Sequence, residues 1–273
     1  MIKQAIIPLA GLGTRLLPLT SVFPKELLPI NGKPGLEYIL EECIDAGIKD
    51  LIFVISNKKK SIKKYFFNDK FYKKIIKSKK NDKRIKQEYN KIKKYKKRIK
   101  FVFQNHPKGT GDAILKCKKL IKSNYFLMLL PDDLIINKNC SKEMLNLHKK
   151  TGGSIIATKT VKKNTVSRWG ILSYKNKLNN SFKITDVEEK PSIKSAKSNY
   201  AIIGRYILPK KIMNEIKNLK PGQGGEIHIT DAIKNLLYKE EKFYGSIFKG
   251  KYLDCGTLEG YINSGAQINK GKK

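Results

Sequence analysis

The residues best suited to chemistry lie near the N-terminus. Ala10-Gly11-Leu12-Gly13-Thr14-Arg15 follows a short apolar run, and Lys25 stands ten residues beyond Arg15 in Pro24-Lys25-Glu26. Backbone N–H groups in a glycine turn form a nest for anionic oxygens. Arg15 adds a planar donor fork and Lys25 a compact charge. Pro18, Pro24, Pro29 and Pro34 stiffen the arm that carries Lys25, which helps where a cation must be held in place. Such a set suits holding a triphosphate while one of its phosphates is attacked. The turn alone is weak evidence, because Leu16 stands where a dinucleotide fingerprint has its third glycine. The Gly-Lys-Ser/Thr of a P-loop is missing too.

These groups need a scaffold. Strand Gln4–Pro8 leads through the turn to a helix over Gly35–Gly47, where Leu36, Ile39, Leu40, Cys43 and Ile44 recur at helical spacing. Leu51–Ser56 is an apolar run of strand length, so the first fifty-odd residues read as a βαβ unit. Residues 58–100 hold 21 Lys/Arg against three acids, with an apolar stripe of Ile85, Tyr89, Ile92 and Ile99, and Tyr95 beside it. They are predicted to be an amphipathic helical excursion with a solvated lysine face. Strand Lys100–Phe103 ends in Gln104 and a second glycine turn through Gly109 and Gly111, followed by helix Ala113–Ile121. Strand Tyr125–Leu130 is capped by Pro131-Asp132-Asp133, and acids at that end of a buried strand sit at the ligand edge of an open sheet. Later helices are expected over 142–151, 210–219, 230–239 (with Thr230 as N-cap) and 258–268. Strands are expected over 154–160, 169–172, 184–189, 200–208, 244–248 and 252–253. The expected fold is α/β and Rossmann-like: a single domain over 1–273, with a mostly parallel central sheet and added β-hairpins.

The chain has 273 residues and a formal net charge of +35. That charge invites a nucleic-acid reading, but only Arg15, Arg84, Arg98, Arg168 and Arg205 of the 58 basic residues are arginines. Base readers lean on arginine. Lysine, isoleucine and asparagine are abundant together, as AT-rich coding would make them, so no specific nucleic-acid partner is expected. No run approaches the ~18 apolar residues of a membrane helix, and Met1-Ile2-Lys3-Gln4 opens no signal peptide. Cys43, Cys117, Cys140 and Cys255 form no C-x-x-C pair. They read as reduced, packed thiols in a cytoplasmic protein.

Read in order, Gly11-Leu12-Gly13-Thr14-Arg15-Leu16, Pro24-Lys25-Glu26-Leu27-Leu28-Pro29 and Lys33-Pro34 resemble the signature of sugar-1-phosphate nucleotidylyltransferases, in particular the uridylyl-transferring branch. Gln104 with Lys108-Gly109-Thr110-Gly111, Leu130-Pro131-Asp132, Val187 to Pro191, Asn199 to Tyr206, and Glu226 to Ile233 continue the likeness along nearly the whole chain.

The resemblance implies a Mg²⁺-assisted, in-line attack of glucose 1-phosphate on the α-phosphorus of UTP, giving UDP-glucose and pyrophosphate. It places the triphosphate on Ala10, Gly11, Gly13 and Thr14, with Arg15 at the β/γ oxygens and Lys25 at the α-phosphate. Gln104 and Gly109 would read uracil. Asp132 and Asp254 would hold the metal, Asp132 being favoured over its neighbour Asp133 by the motif register. Gly170, Glu189, Lys190 and Asn199 would bind the sugar phosphate, with Lys190 also in the catalytic set beside Arg15, Lys25 and Asp132. The sugar-binding part would span 160–257, and 258–273 would be a C-terminal helix and tail. A homodimer or homotetramer is implied by the resemblance only. Thymidylyl transfer to glucose 1-phosphate is the near alternative. A basic nucleic-acid-binding protein using 58–100 is the alternative from another class.

Overall fold

The apolar strand-length runs of the first half are buried in the centre of the fold, and in the computed structural model, which describes residues 1–79 and 82–270, nine strands pair into one sheet. The first half supplies β1 (Gln4–Pro8), the short ribbon β2 (Pro29–Ile30) and β3 (Lys33–Pro34), α1 (Gly35–Asp45) and β4 (Asp50–Ile55). The Lys-rich stretch follows as α2 (Lys60–Phe67), α3 (Asp69–Ser78) and α4 (Lys83–Lys96), returning to the sheet as β5 (Ile99–Phe103). Next come α5 (Thr110–Lys116), β6 (Tyr125–Leu129), β7 (Asp133–Ile136), α6 (Cys140–Thr151) and β8 (Ser154–Thr160). The rest is β9 (Gly170–Leu178), β10 (Ser181–Glu189), β11 (Tyr200–Pro209), α7 (Ile212–Lys217), α8 (Ile229–Tyr238), β12 (Phe243–Ile247), β13 (Lys251–Asp254) and α9 (Leu258–Lys270). The expected tail beyond residue 270 lies outside the described residues.

The sheet order is β5-β4-β1-β6-β11-β8-β12-β10-β9. Alternation sends Ala5, Ile7, Leu51, Phe53 and Ile55 to one core, and Ile6, Ile52 and Val54 to the other. The expected parallel order holds from β5 to β6 and between β8 and β12. It fails elsewhere: β11 runs antiparallel to both β6 and β8, and β10 antiparallel to β12 and β9. The sheet is therefore mixed. Helical crossovers make neighbours parallel, whereas the tight β9–β10 turn reverses the chain. Beside the main sheet, β13 pairs with β7 in a separate antiparallel ribbon.

Three further expectations are corrected. The 58–100 excursion is helical as expected, in three helices, but Ile99 of its apolar stripe belongs to β5. Its lysines are not all solvated: Lys59 is buried against Glu26 at 2.7 Å, and Lys91 joins Glu37 and Glu88 at 2.9 and 2.7 Å. The other two concern helix ends. Helix α5 stops at Lys116 rather than Ile121, continuing only as turns such as Lys118 N–H to Leu115 O. Thr230 lies inside α8 and does not cap it, because its hydroxyl donates to Glu189 Oε2 at 3.0 Å.

Candidate active site

The ends of β1 and β6, the glycine turn and the 104–113 turn enclose a cleft of about 470 Å³. Its wall holds Ala10, Gly11, Gly13, Thr14, Arg15, Lys25, Gln104, Gly109 and Asp132. The residues expected at the nucleotide, and the first expected metal ligand, thus share one cavity.

The glycine turn is open toward this space. The N–H groups of Gly11, Leu12 and Gly13 donate to no other group among the described residues. Gly13 has φ +71°, the left-handed conformation in which a Cβ is strained, and a Cβ there would press Thr20 Cγ2 at 3.1 Å. Thr20 Oγ1 in turn donates to Gly13 O at 2.9 Å and ties the turn to the arm.

Lys25 Nζ donates to Asp132 Oδ2 at 2.6 Å, and Arg15 Nη2 stands 3.6 Å from the same oxygen. Burial works to lower the Lys25 pKa, yet the Asp132 carboxylate leaves it raised. Burial likewise works to raise Asp132, yet Lys25 and Arg15 hold it below the usual carboxylate value. Both groups are ionised over the neutral range. The adjacent Asp133 is turned away from this contact, accepting from Gly204 N–H at 3.0 Å and Tyr252 Oη at 2.6 Å.

Asp254 ends β13, and its Oδ1 accepts from Gly256 N–H at 2.8 Å. A Cβ on Gly256 would meet Asp132 Oδ2 at 2.9 Å, Arg15 Nη2 at 3.0 Å and Asp254 Oδ1 at 3.2 Å. Two carboxylate oxygens therefore flank one point at the cavity edge. No group of three or more metal-ligating side chains occurs among the described residues. A pair of carboxylates completed by substrate phosphates is the usual arrangement for a hard divalent cation, so this donor set fits one.

Gln104 is buried at the end of β5, with Nε2 donating to Asp112 Oδ2 at 2.7 Å and Gly109 O at 3.2 Å. Gly109 has φ +93°, and a Cβ there would lie 2.6 Å from Ile227 O, so the position demands glycine. Ile227 is braced across this turn in both directions, accepting from Gly111 N–H and donating to Lys108 O, each at 2.8 Å.

The residues expected at the sugar phosphate divide. Gly170 pairs with Glu189 across β9 and β10, and a Cβ on Gly170 would lie 3.3 Å from Glu189 Oε2. Lys190, at φ +46°, extends Nζ to 4.0 Å from Glu189 Oε1. Asn199 is exposed, and its amide donates to Val161 O at 3.1 Å. No hydrogen bond joins it to Gly170, Glu189 or Lys190 among the described residues.

Glu226, which stands in the Glu226 to Ile233 run but outside the expected site residues, lies on the nucleotide cavity wall. It precedes α8 and reaches the cavity because Ile227 is pinned to the 108–111 turn. Lys159 lies outside the expected set as well; burial lowers its pKa against the pull of Asp133 and Asp254, and its Nζ lies 4.1 Å from the Tyr252 ring centroid. The run from Glu226 to Ile233 was the one available signal for Glu226, and nothing local marked Lys159.

Comparison with known proteins follows the same lines. The family described as nucleotidyl transferase matches residues 4–72 and 62–271. A UTP–glucose-1-phosphate uridylyltransferase of Staphylococcus saprophyticus is 38% identical over 271 residues, covering 98% of this chain and 92% of the relative. One from Mycoplasma pneumoniae is 36% identical over 268 residues, covering 96% and 91%. Among solved structures, a UDP-glucose pyrophosphorylase complexed with UDP-glucose superposes with a TM-score of 0.87 at 35% identity, covering 99% of this chain and 100% of that one. A UTP-bound enzyme of Acinetobacter baumannii gives 0.87 at 31% identity, covering 98% and 93%.

Proposed function

The chain belongs to the nucleotidyl transferase family, and we propose that it transfers the uridylyl group of UTP to glucose 1-phosphate, releasing pyrophosphate. The reading rests above all on one cavity wall that brings an open glycine turn, the Lys25–Asp132 contact and Gln104 together. Relatives named for this activity align with 96% or more of the chain.

A phosphate oxygen of glucose 1-phosphate attacks the α-phosphorus in line, a new P–O bond forms, and the bond to the β-phosphate breaks. No covalent enzyme intermediate is needed. The Gly11–Thr14 backbone cradles the triphosphate, and Arg15 pairs with its outer oxygens. Lys25 moves its charge from Asp132 to the α-phosphate oxygens, where negative charge builds up. Asp132 and Asp254 would hold Mg²⁺, which when bound would supply charge neutralisation at the phosphates. Glu189 accepts from sugar hydroxyls, Gly170 lets the ring approach the backbone, and Lys190 pairs with the sugar's phosphate. Asn199 borders the same pocket from the loop before β11. We assign the sugar-binding part to 160–257 within a single domain spanning 1–273.

The four cysteines are buried and unpaired, which suits a reducing cytoplasm. No helix among the described residues is long and apolar enough to cross a membrane. Self-association as a dimer or tetramer completes the proposal. The test is pyrophosphate release across UTP, dTTP, CTP and ATP, each paired with several sugar 1-phosphates and Mg²⁺. UTP with glucose 1-phosphate should be the fastest pair, and no release with UTP would refute the reading.

A further inference from the structure

We propose that Asp112, a positioning residue that touches no substrate, sets the base preference of this site by fixing the amide of Gln104. The inference rests on the reading of Gln104 as the residue that meets the base.

Gln104 is only 3% exposed, so water does not satisfy its amide on the protein side. An amide nitrogen has two hydrogens to give. Both are used: Nε2 donates to Asp112 Oδ2 at 2.7 Å and to Gly109 O at 3.2 Å. Those two partners are a carboxylate and a carbonyl, which only accept. Turning the amide over would set Oε1 against both, replacing two hydrogen bonds with two acceptor–acceptor contacts. The orientation is therefore locked, and Oε1 remains for the cavity that Gln104 lines.

That leaves an acceptor facing the base. Uracil offers a donor there, its N3–H. Cytosine offers a bare N3, so two acceptors would meet. Thymine keeps N3–H, so this device separates uracil from cytosine but not from thymine. Asp112 itself lies outside the nucleotide cavity and lines the neighbouring cleft with Asn105, His106 and Lys108. Its second oxygen faces Lys116 Nζ at 3.8 Å, one helical turn on. Gly109 O is fixed by backbone, which leaves Asp112 as the one side chain whose loss would release the amide.

The experiment compares wild type with Asp112→Leu and Asp112→Asn. Equilibrium dissociation constants for UTP, CTP and dTTP are measured alongside kcat/KM for pyrophosphate release with glucose 1-phosphate. Losing one hydrogen bond that fixes the amide should lower the UTP:CTP preference about tenfold in the leucine variant. The UTP:dTTP ratio should stay within about threefold. The asparagine variant keeps an acceptor and should restore the UTP:CTP ratio to near wild type. If the leucine variant does not fold, Asp112→Ala removes the same acceptor with less bulk. An equal loss for all three nucleotides, with the UTP:CTP ratio unchanged, would overturn the proposal. Should wild type bind UTP over CTP yet release no pyrophosphate, the proposed reaction fails while the binding ratios still decide the role of Asp112.

Discussion

The contact between Lys25 and Asp132 allows stability and catalysis to be separated in one mutant cycle. Both side chains are about one-sixth exposed, at 16% and 17%, and their charged atoms meet at 2.6 Å. Removing one partner of a fully buried pair costs about 3–5 kcal/mol, mostly by stranding the other charge. Partial exposure here, and Arg15 at 3.6 Å from the same carboxylate oxygen, reduce that to about 2 kcal/mol for Lys25→Met or Asp132→Asn. The double variant strands no charge, so its loss should be about 2 kcal/mol rather than about 4. At roughly 2 °C per kcal/mol for a chain of this size, each single variant should melt about 4 °C lower and the double no lower than either.

Activity should behave differently. In the proposed mechanism each single change removes a group that meets phosphate or metal charge in the transition state, for an expected loss of about 10²–10³ in kcat. Nothing in the double variant replaces either function, so its turnover should remain at or below that of the worse single variant. Denaturant unfolding and pyrophosphate release on the same four proteins give both readouts. Additive stability losses would show that the pair is not coupled in the folded enzyme. Recovery of turnover in the double variant would refute the catalytic assignment of both residues.

Glu42→Gln should cost about 3–5 kcal/mol in denaturant unfolding, because it strands Arg205, which is wholly buried and otherwise paired with Glu42 at 2.9 Å; a loss below about 1 kcal/mol would contradict this. Gly109→Ala should lower both stability and UTP affinity, since the left-handed φ and the Ile227 carbonyl leave no room for a Cβ; unchanged melting and unchanged UTP binding would count against the turn as described. Chelation with EDTA should abolish pyrophosphate release and added Mg²⁺ restore it, with Asp254→Asn raising the Mg²⁺ needed for half-maximal rate; full activity in EDTA would remove the metal from the mechanism.

Local features of the fold were legible where a physical period repeats. The alternating burial of β1 and β4 and the helical stripe of α1 follow directly from residue spacing. Strand direction did not, because it depends on how distant segments meet. β11 is buried at every position and reads the same in a parallel or an antiparallel place. The lysine-rich stretch misled for a related reason. A lysine's solvation depends on whether an acid from another element faces it, as Glu26 faces Lys59 and Glu37 faces Lys91. Thr230 shows the same limit at one atom: a threonine at a helix start has cap chemistry until Glu189, 41 residues away, takes its hydroxyl.

In the site, contiguous motifs placed the cavity-lining residues, but adjacent residues of the same type could not be told apart. Asp132 and Asp133 are chemically equal, but Asp132 ends the turn before β7 while Asp133 opens the strand, and they meet different surroundings. Asp132 meets two cations, Lys25 and Arg15, which hold its carboxyl below the usual value despite burial. Asp133 meets neutral donors from Gly204 and Tyr252, which arrives only because β13 pairs with β7. Burial, helped by the charge of Asp132, pushes the Asp133 carboxyl up to about 6. The acid that keeps its charge most firmly is thus the one on the cavity wall, the one proposed to hold the metal ion. Its neighbour is held by neutral hydrogen bonds and anchors the turn. The difference lies in partners drawn from Arg15 to Tyr252 in the chain, which is why no inspection of Pro131-Asp132-Asp133 alone could have told the two apart.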